Sequence, residues 1–227
     1  MSSTAIKIIA AAVAVIGTAA ASAAVTTLDG KGFDVSFDGS TFAPGAISLS
    51  ADGKSVLFDT DALSAVAEKG DSDFAFDKLN FAITLDSGYT FKALEMSQSG
   101  DYALLKKNSE VFASMTSAVS IAGVAKSAAY KTAIFDLDGV RKGADSWSLT
   151  STYNLAGTPY ANASKLNVWA LSLLSADAAK GGFASIAAHD YSLQVMTAAV
   201  PEPEQWALML AGIGMVGAIA RRRSARV

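Results

Sequence analysis

Leu79-Asn80-Phe81-Ala82-Ile83-Thr84-Leu85 alternates large apolar residues with polar or small ones, and Asp86-Ser87-Gly88 then leads into Tyr89. A period of two puts Leu79, Phe81, Ile83 and Leu85 on one face of a strand and Asn80, Ala82 and Thr84 on the other. The pattern recurs outward in both directions. Upstream, Phe33, Val35 and Phe37 alternate with Asp34, Ser36 and Asp38, and residues 46–50 face 55–59 across a hairpin with Asp52-Gly53 at its turn. Downstream, residues 89–96 read as a strand, 97–100 as a turn and 101–106 as a further strand. Later runs cover 111–121, 129–137, 146–155, 165–174 and 183–198. Only residues 60–69 and 176–180 read as locally helical. Ten to eleven strands whose sheets are apolar on one face predict an all-β fold, an antiparallel β-sandwich of jelly-roll-like kind.

Composition narrows the chemistry. The 227 residues include one histidine, His189, and no cysteine, which excludes disulfide scaffolds, zinc ribbons and thiol catalysis. The formal net charge of -3 conceals two different parts: residues 24–200 carry -6, because Lys7, four arginines and two glutamates, Glu202 and Glu204, lie at the ends. No basic stripe is available to neutralise phosphates, so nucleic acid is not an expected partner.

Both ends separate from the body. Lys7, the apolar run 8–16 and Ala21-Ser22-Ala23 have the layout of a secretory leader, with Ala23 and Ala24 flanking the expected cleavage. At the other end Pro201-Glu202-Pro203 is followed by an apolar block from Trp206 to Ala220 and then by Arg221, Arg222 and Arg223. Two prolines around an acid neither continue a strand ladder nor sit inside a helix, so the folded body stops there. The apolar block reads as a hydrophobic helix about 22 Å long, with its arginines on the cytoplasmic side. The expected organisation is a leader at 1–23, a β-sandwich at 24–199 and a tail at 200–227.

This order of parts resembles the PEP-CTERM sorting signal over roughly the last eighth of the chain. The resemblance implies an exported protein of a Gram-negative bacterium that makes extracellular polysaccharide, handled by an exosortase, a membrane-embedded cysteine transpeptidase. It also implies that Pro201, Glu202 and Pro203 are the recognition element. Residues 206–220, led by Trp206, would hold the precursor in the membrane, and Arg221, Arg222 and Arg223 would act as the stop.

Within the body, few residues suggest chemistry. Asp136, Asp138 and Asp145 make an oxygen-rich stretch of the sort that can bind calcium, the one cofactor the sequence offers. The EF-hand spacing is absent and Arg141 and Lys142 oppose a cation, so an ordinary acidic turn is the better reading. Trp147 shares its face with Leu149 and Tyr153, and Trp169 shares one with Leu171 and Leu173; both rings are expected in the core. That leaves Tyr160, in a Gly-Thr-Pro-Tyr loop, as the ring best placed to meet a ligand. No nucleophile motif is present and a triad would have to use His189, so catalysis is not expected. The expected role is structural or adhesive, at the cell surface or in an exopolysaccharide matrix. The alternative is a carbohydrate-binding module, and a polysaccharide hydrolase stands behind both. An exposed strip of aromatic rings would favour binding.

Overall fold

The computed structural model describes residues 25–39, 46–59, 63–137, 143–200 and 203–224. Its strands are β1 (Val25–Asp29), β2 (Phe33–Asp38), β3 (Ile47–Leu49), β4 (Ser55–Asp59), β5 (Ser64–Glu68) and β6 (Ser72–Leu85). They continue as β7 (Tyr89–Leu104), β8 (Glu110–Ile121), β9 (Ala129–Leu137), β10 (Gly143–Asn154), β11 (Lys165–Asp177) and β12 (Phe183–Ala199). One sheet has the order β1-β2-β6-β11-β8-β9. The second has the order β10-β7-β12-β4-β3, with β5 also paired to β12. All the pairings are antiparallel. From β6 to β12 the chain crosses between sheets at every connection except β8 to β9.

The alternation explains the core. Phe33, Val35, Leu79, Phe81, Ile83, Leu166, Val168 and Leu174 come from the first sheet; Leu94, Met96, Trp147, Leu149, Ile186 and Leu193 meet them from the second. Each such side chain, fully buried, contributes about 1.5–3 kcal/mol of transfer free energy. The core also holds polar pairs. Tyr153 donates its hydroxyl to the Ser117 carbonyl at 2.8 Å, and Ser172 donates to Gln98 Oε1 at 2.8 Å. Burial pushes the Tyr153 and Tyr191 hydroxyls to higher pKa, so both remain neutral donors.

The Asp-Gly hairpin forms with Ile47 opposite Phe58 and Leu49 opposite Val56, and Gly53 takes a positive φ of 67°. Residues 97–100 are not a turn: they continue β7, a single strand from Tyr89 to Leu104. Residues 64–68, read as helical, form β5, where alternation sends Ala65 and Ala67 into the core. Small side chains are needed there, and the resulting alanine content is what gave the segment its helical look.

The expected fold class also required two terminal helices, and that part is corrected. The leader, with Ala23 and Ala24, lies outside the described residues. The C-terminal helix exists as α1 (Pro203–Ser224), but among the described residues no helix is long and apolar enough to cross a membrane. Its uncharged apolar block is only 15 residues from Trp206 to Ala220, diluted by Gly212, Gly214 and Gly217, against the ~20 that a bilayer core asks for. A transmembrane helix, a membrane partner through residues 206–220 and a precursor anchored by them are therefore withdrawn.

At the end of β6, Asp86 begins the turn into β7, and its backbone N–H donates to the Gly32 carbonyl at 3.2 Å. Lost hydration, followed by repulsion from Asp34 and Asp29, raises its pKa above the usual carboxylate value. A carboxyl whose native pKa is raised binds its proton more readily folded than unfolded, so ionised Asp86 costs stability at neutral pH. Asp86→Asn should raise the melting temperature at neutral pH by about 1–2 °C. The advantage should shrink as the pH falls through the carboxylate range. Melts at neutral and acid pH check this, and an equal or lower neutral melting temperature would contradict it.

Candidate functional site

The two outer faces of the sandwich differ in chemistry. On the second sheet, Ser148, Thr150 and Thr152 of β10 lie beside Ser99, Ser97 and Glu95 of β7. Ser97 and Ser192 pair through their hydroxyls at 2.8 Å, and Thr152 donates to Glu95 at 3.0 Å. His189 stands where the β7–β12 register slips between Ala188 and Asp190. Its Nε2 lies 3.1 Å from Asp101 Oδ2, and both side chains are largely exposed. That face is a hydroxyl-rich surface with one exposed His–Asp contact.

The first sheet presents rings. Cross-strand pairing sets four rows on its outer face, running from β6 through β11 and β8 to β9. The first row is Asn80, Trp169, Ala118 and Tyr130, and the second is Lys78, Leu171, Thr116 and Thr132. The third is Phe76, Leu173, Ser114 and Ile134, and the fourth is Phe74, Ser175, Phe112 and Asp136. Tyr130 meets Trp169 edge to face at 6.2 Å. Phe74, Phe76, Tyr130 and Ile134 are 57%, 64%, 66% and 55% exposed. These are the values of surface residues, although the side chains are those of a core. The exposed apolar side chains stand on the outer two strands of these rows, β6 and β9, while Ala118, Ser114, Leu173 and Ser175 between them are buried.

Trp169 is the instructive residue. It shares a face with Leu171 and Leu173 as the period predicts, but the core takes the other parity, Leu166, Val168, Ala170 and Leu174. Trp147 does lie in the core, 3% exposed. It stacks on Phe135 at 6.1 Å and donates its indole N–H to the Ala187 carbonyl at 3.1 Å.

Tyr160, singled out as a loop ring, lies on a short 3-10 turn (Pro159–Asn162). It is half-buried, packs against the core and donates its hydroxyl to the Ser127 carbonyl. Asp136 ends β9 in one sheet and Asp145 opens β10 in the other, both exposed, while Asp138 lies outside the described residues. Among the described residues no group of three or more His, Cys, Asp or Glu side chains is arranged to hold a metal ion.

The tail begins where the sandwich stops. Ala199 is the last paired residue of β12, opposite Tyr89, and Val200 donates its N–H to the Gly88 carbonyl at 2.7 Å. Pro201 and Glu202 lie outside the described residues; Pro203 opens α1, which also contains Trp206, Arg221, Arg222 and Arg223. Leu208, Leu210, Ile213, Met215 and Val216 on that helix are exposed. The family model for the PEP-CTERM protein-sorting motif matches residues 199–224. The tail is a PEP-CTERM sorting motif. It implies export to the cell surface with an exosortase as partner. No curated protein matches the chain's sequence. Among solved structures, it is similar to the carbohydrate-binding module TmCBM61 in complex with beta-1,4-galactotriose, at 12% identity and TM-score 0.26, over 76% of this chain and 88% of that one. It is also similar to the xylan-binding module CBM15, at 13% identity and TM-score 0.24, over 76% and 97%. The CBM22-2 xylan-binding domain from Paenibacillus barcinonensis Xyn10C has 9% identity and TM-score 0.23, over 68% and 91%. In front of the PEP-CTERM motif the described residues form a sandwich with hydroxyls along β10 and β7 on one outer face and rings on the other.

Proposed function

We propose that residues 24–199 form a non-catalytic carbohydrate-binding module, exported behind the leader at 1–23 and delivered to the cell surface by the PEP-CTERM tail. The reading is carried by the exposed rings on the outer face of the first sheet, Phe74, Phe76, Tyr130 and the half-buried Trp169. Rings left in water at a sheet surface gain little burial there, and they offer flat apolar area to the apolar face of a sugar ring. A purely structural sandwich has no need of them. An exopolysaccharide of the producing cell is the natural ligand for such a module.

The test is retention. The purified full chain is incubated with the exopolysaccharide of its own host and with insoluble neutral polysaccharides, and both bound protein and polymer length are scored. Retention without shortening of the polymer is the expected result. No retention on any polysaccharide would overturn the binding reading, and shortening of the chains would overturn its non-catalytic half.

A further inference from the structure

The arrangement of polar and apolar positions within the aromatic face says what kind of occupant it takes. Protein–protein contacts place their apolar residues at the centre and their polar residues at the rim. The first three rows of this face instead set a largely polar band between two apolar ones. Trp169 and Tyr130 hold one end, Phe76 and Ile134 hold the other on either side of the buried Leu173, and between them run Lys78, Thr116 and Thr132 with Leu171. The two threonine hydroxyls are 3.1 Å apart, so they form a small pair of donors and acceptors between two apolar platforms. The row of Trp169 and Tyr130 and the row of Phe76 and Ile134 are four residues apart along the strands, which is about 13 Å at strand rise. A single pyranose ring, roughly one strand spacing or about 5 Å across, covers one platform at a time.

Charge excludes a second class. Across the four rows the charged residues are Lys78 and Asp136, which balance, on a body carrying -6. A polyanion would meet repulsion from the body with a single lysine to offset it.

We infer that the occupant is a neutral, extended, equatorially linked glycan of several sugar units, laid along the strand direction so that it stacks on both platforms and hydrogen-bonds to the threonines between them. This rests on the carbohydrate-binding reading above and makes it specific. Apolar ring faces alternating with a rim of hydroxyls match the sequence of platform, polar band, platform.

Calorimetric titration of the full chain with glucose, cellobiose, cellohexaose and hexagalacturonate, at low and high salt, tests it. Cellohexaose should bind at least about tenfold more tightly than cellobiose, with little salt dependence, and glucose should give no measurable heat. Phe76→Ala and Trp169→Ala should each weaken cellohexaose about tenfold with an unchanged melting temperature for Phe76→Ala, whose ring is 64% exposed. Thr116→Val with Thr132→Val should weaken it while leaving both platforms in place. Salt-sensitive preference for hexagalacturonate, or equal affinity for cellobiose and cellohexaose, would overturn the inference while leaving carbohydrate binding intact. A loss of affinity in one of Phe76→Ala and Trp169→Ala but not in the other would do the same. No binding of any sugar, together with a dimer in sedimentation that Phe76→Ser dissolves, would overturn both and assign the face to a second copy of the chain.

Discussion

Replacing Gly100 by alanine should destabilise the sandwich by about 3 kcal/mol or more and lower its melting temperature by about 6–12 °C. Gly100 lies inside β7, opposite Trp147 of β10 and Ala188 of β12. A Cβ built there would fall 1.8 Å from the Ala187 carbonyl oxygen and 2.9 Å from Ala188 Cα. Both are backbone atoms, so no side-chain rotation relieves the overlap. Strand β12 would have to move away from β7, in the middle of the second sheet. The same carbonyl accepts the Trp147 indole N–H, so its displacement also threatens a buried hydrogen bond, worth about 1 kcal/mol. Gly88→Ala is the control. Its φ is 79°, and an added Cβ meets nothing within 4 Å, so only the backbone cost of roughly 1–2 kcal/mol applies. Thermal melts of the two variants should separate clearly. If Gly100→Ala melted within about 2 °C of the parent, the close approach of β7 and β12 would be refuted.

The second large effect concerns delivery. Pro201→Ala with Glu202→Ala should abolish processing in the producing cell, so that the chain accumulates at its unprocessed mass, as seen by intact mass or a C-terminal epitope. The melting temperature of the body should not change, because the strand ladder ends at Ala199 and its last backbone bond is from Val200 to Gly88. The PEP-CTERM match begins at Ala199, where the ladder ends, and proline cannot extend the ladder past Val200. Normal processing of the double variant would count against recognition at this element.

Some parts of the molecule were legible in the amino-acid order because the physics there is local. The Asp52-Gly53 hairpin depends on a positive φ that glycine tolerates, and the alternation of Phe33, Val35 and Phe37 depends on the pleat of one strand. The tail depends on prolines that no strand or helix interior accepts. Others failed for the opposite reason. Ser97 to Gly100 looked like a turn because glycine commonly marks one, yet here it clears space for the backbone of a strand that arrives some ninety residues later. Residues 64–68 looked helical because alanine favours helices in isolation, and the sheet took them for their small size. The membrane reading failed on length and on three glycines, both visible in the sequence.

The period of two in Leu166 to Leu174 therefore determined which residues share a face, and the Pro-Glu-Pro tail determined where the fold ends. Which face looks inward was not determined. Both parities of β11 are apolar, Val168, Ala170 and Leu174 on one side and Trp169, Leu171 and Leu173 on the other. Packing of the second sheet covered the first set and left Trp169 beside Tyr130 at the surface. A strand's alternation is a property of its own pleat. The choice of face depends on what the opposing sheet can fill, and only the tertiary structure contains that.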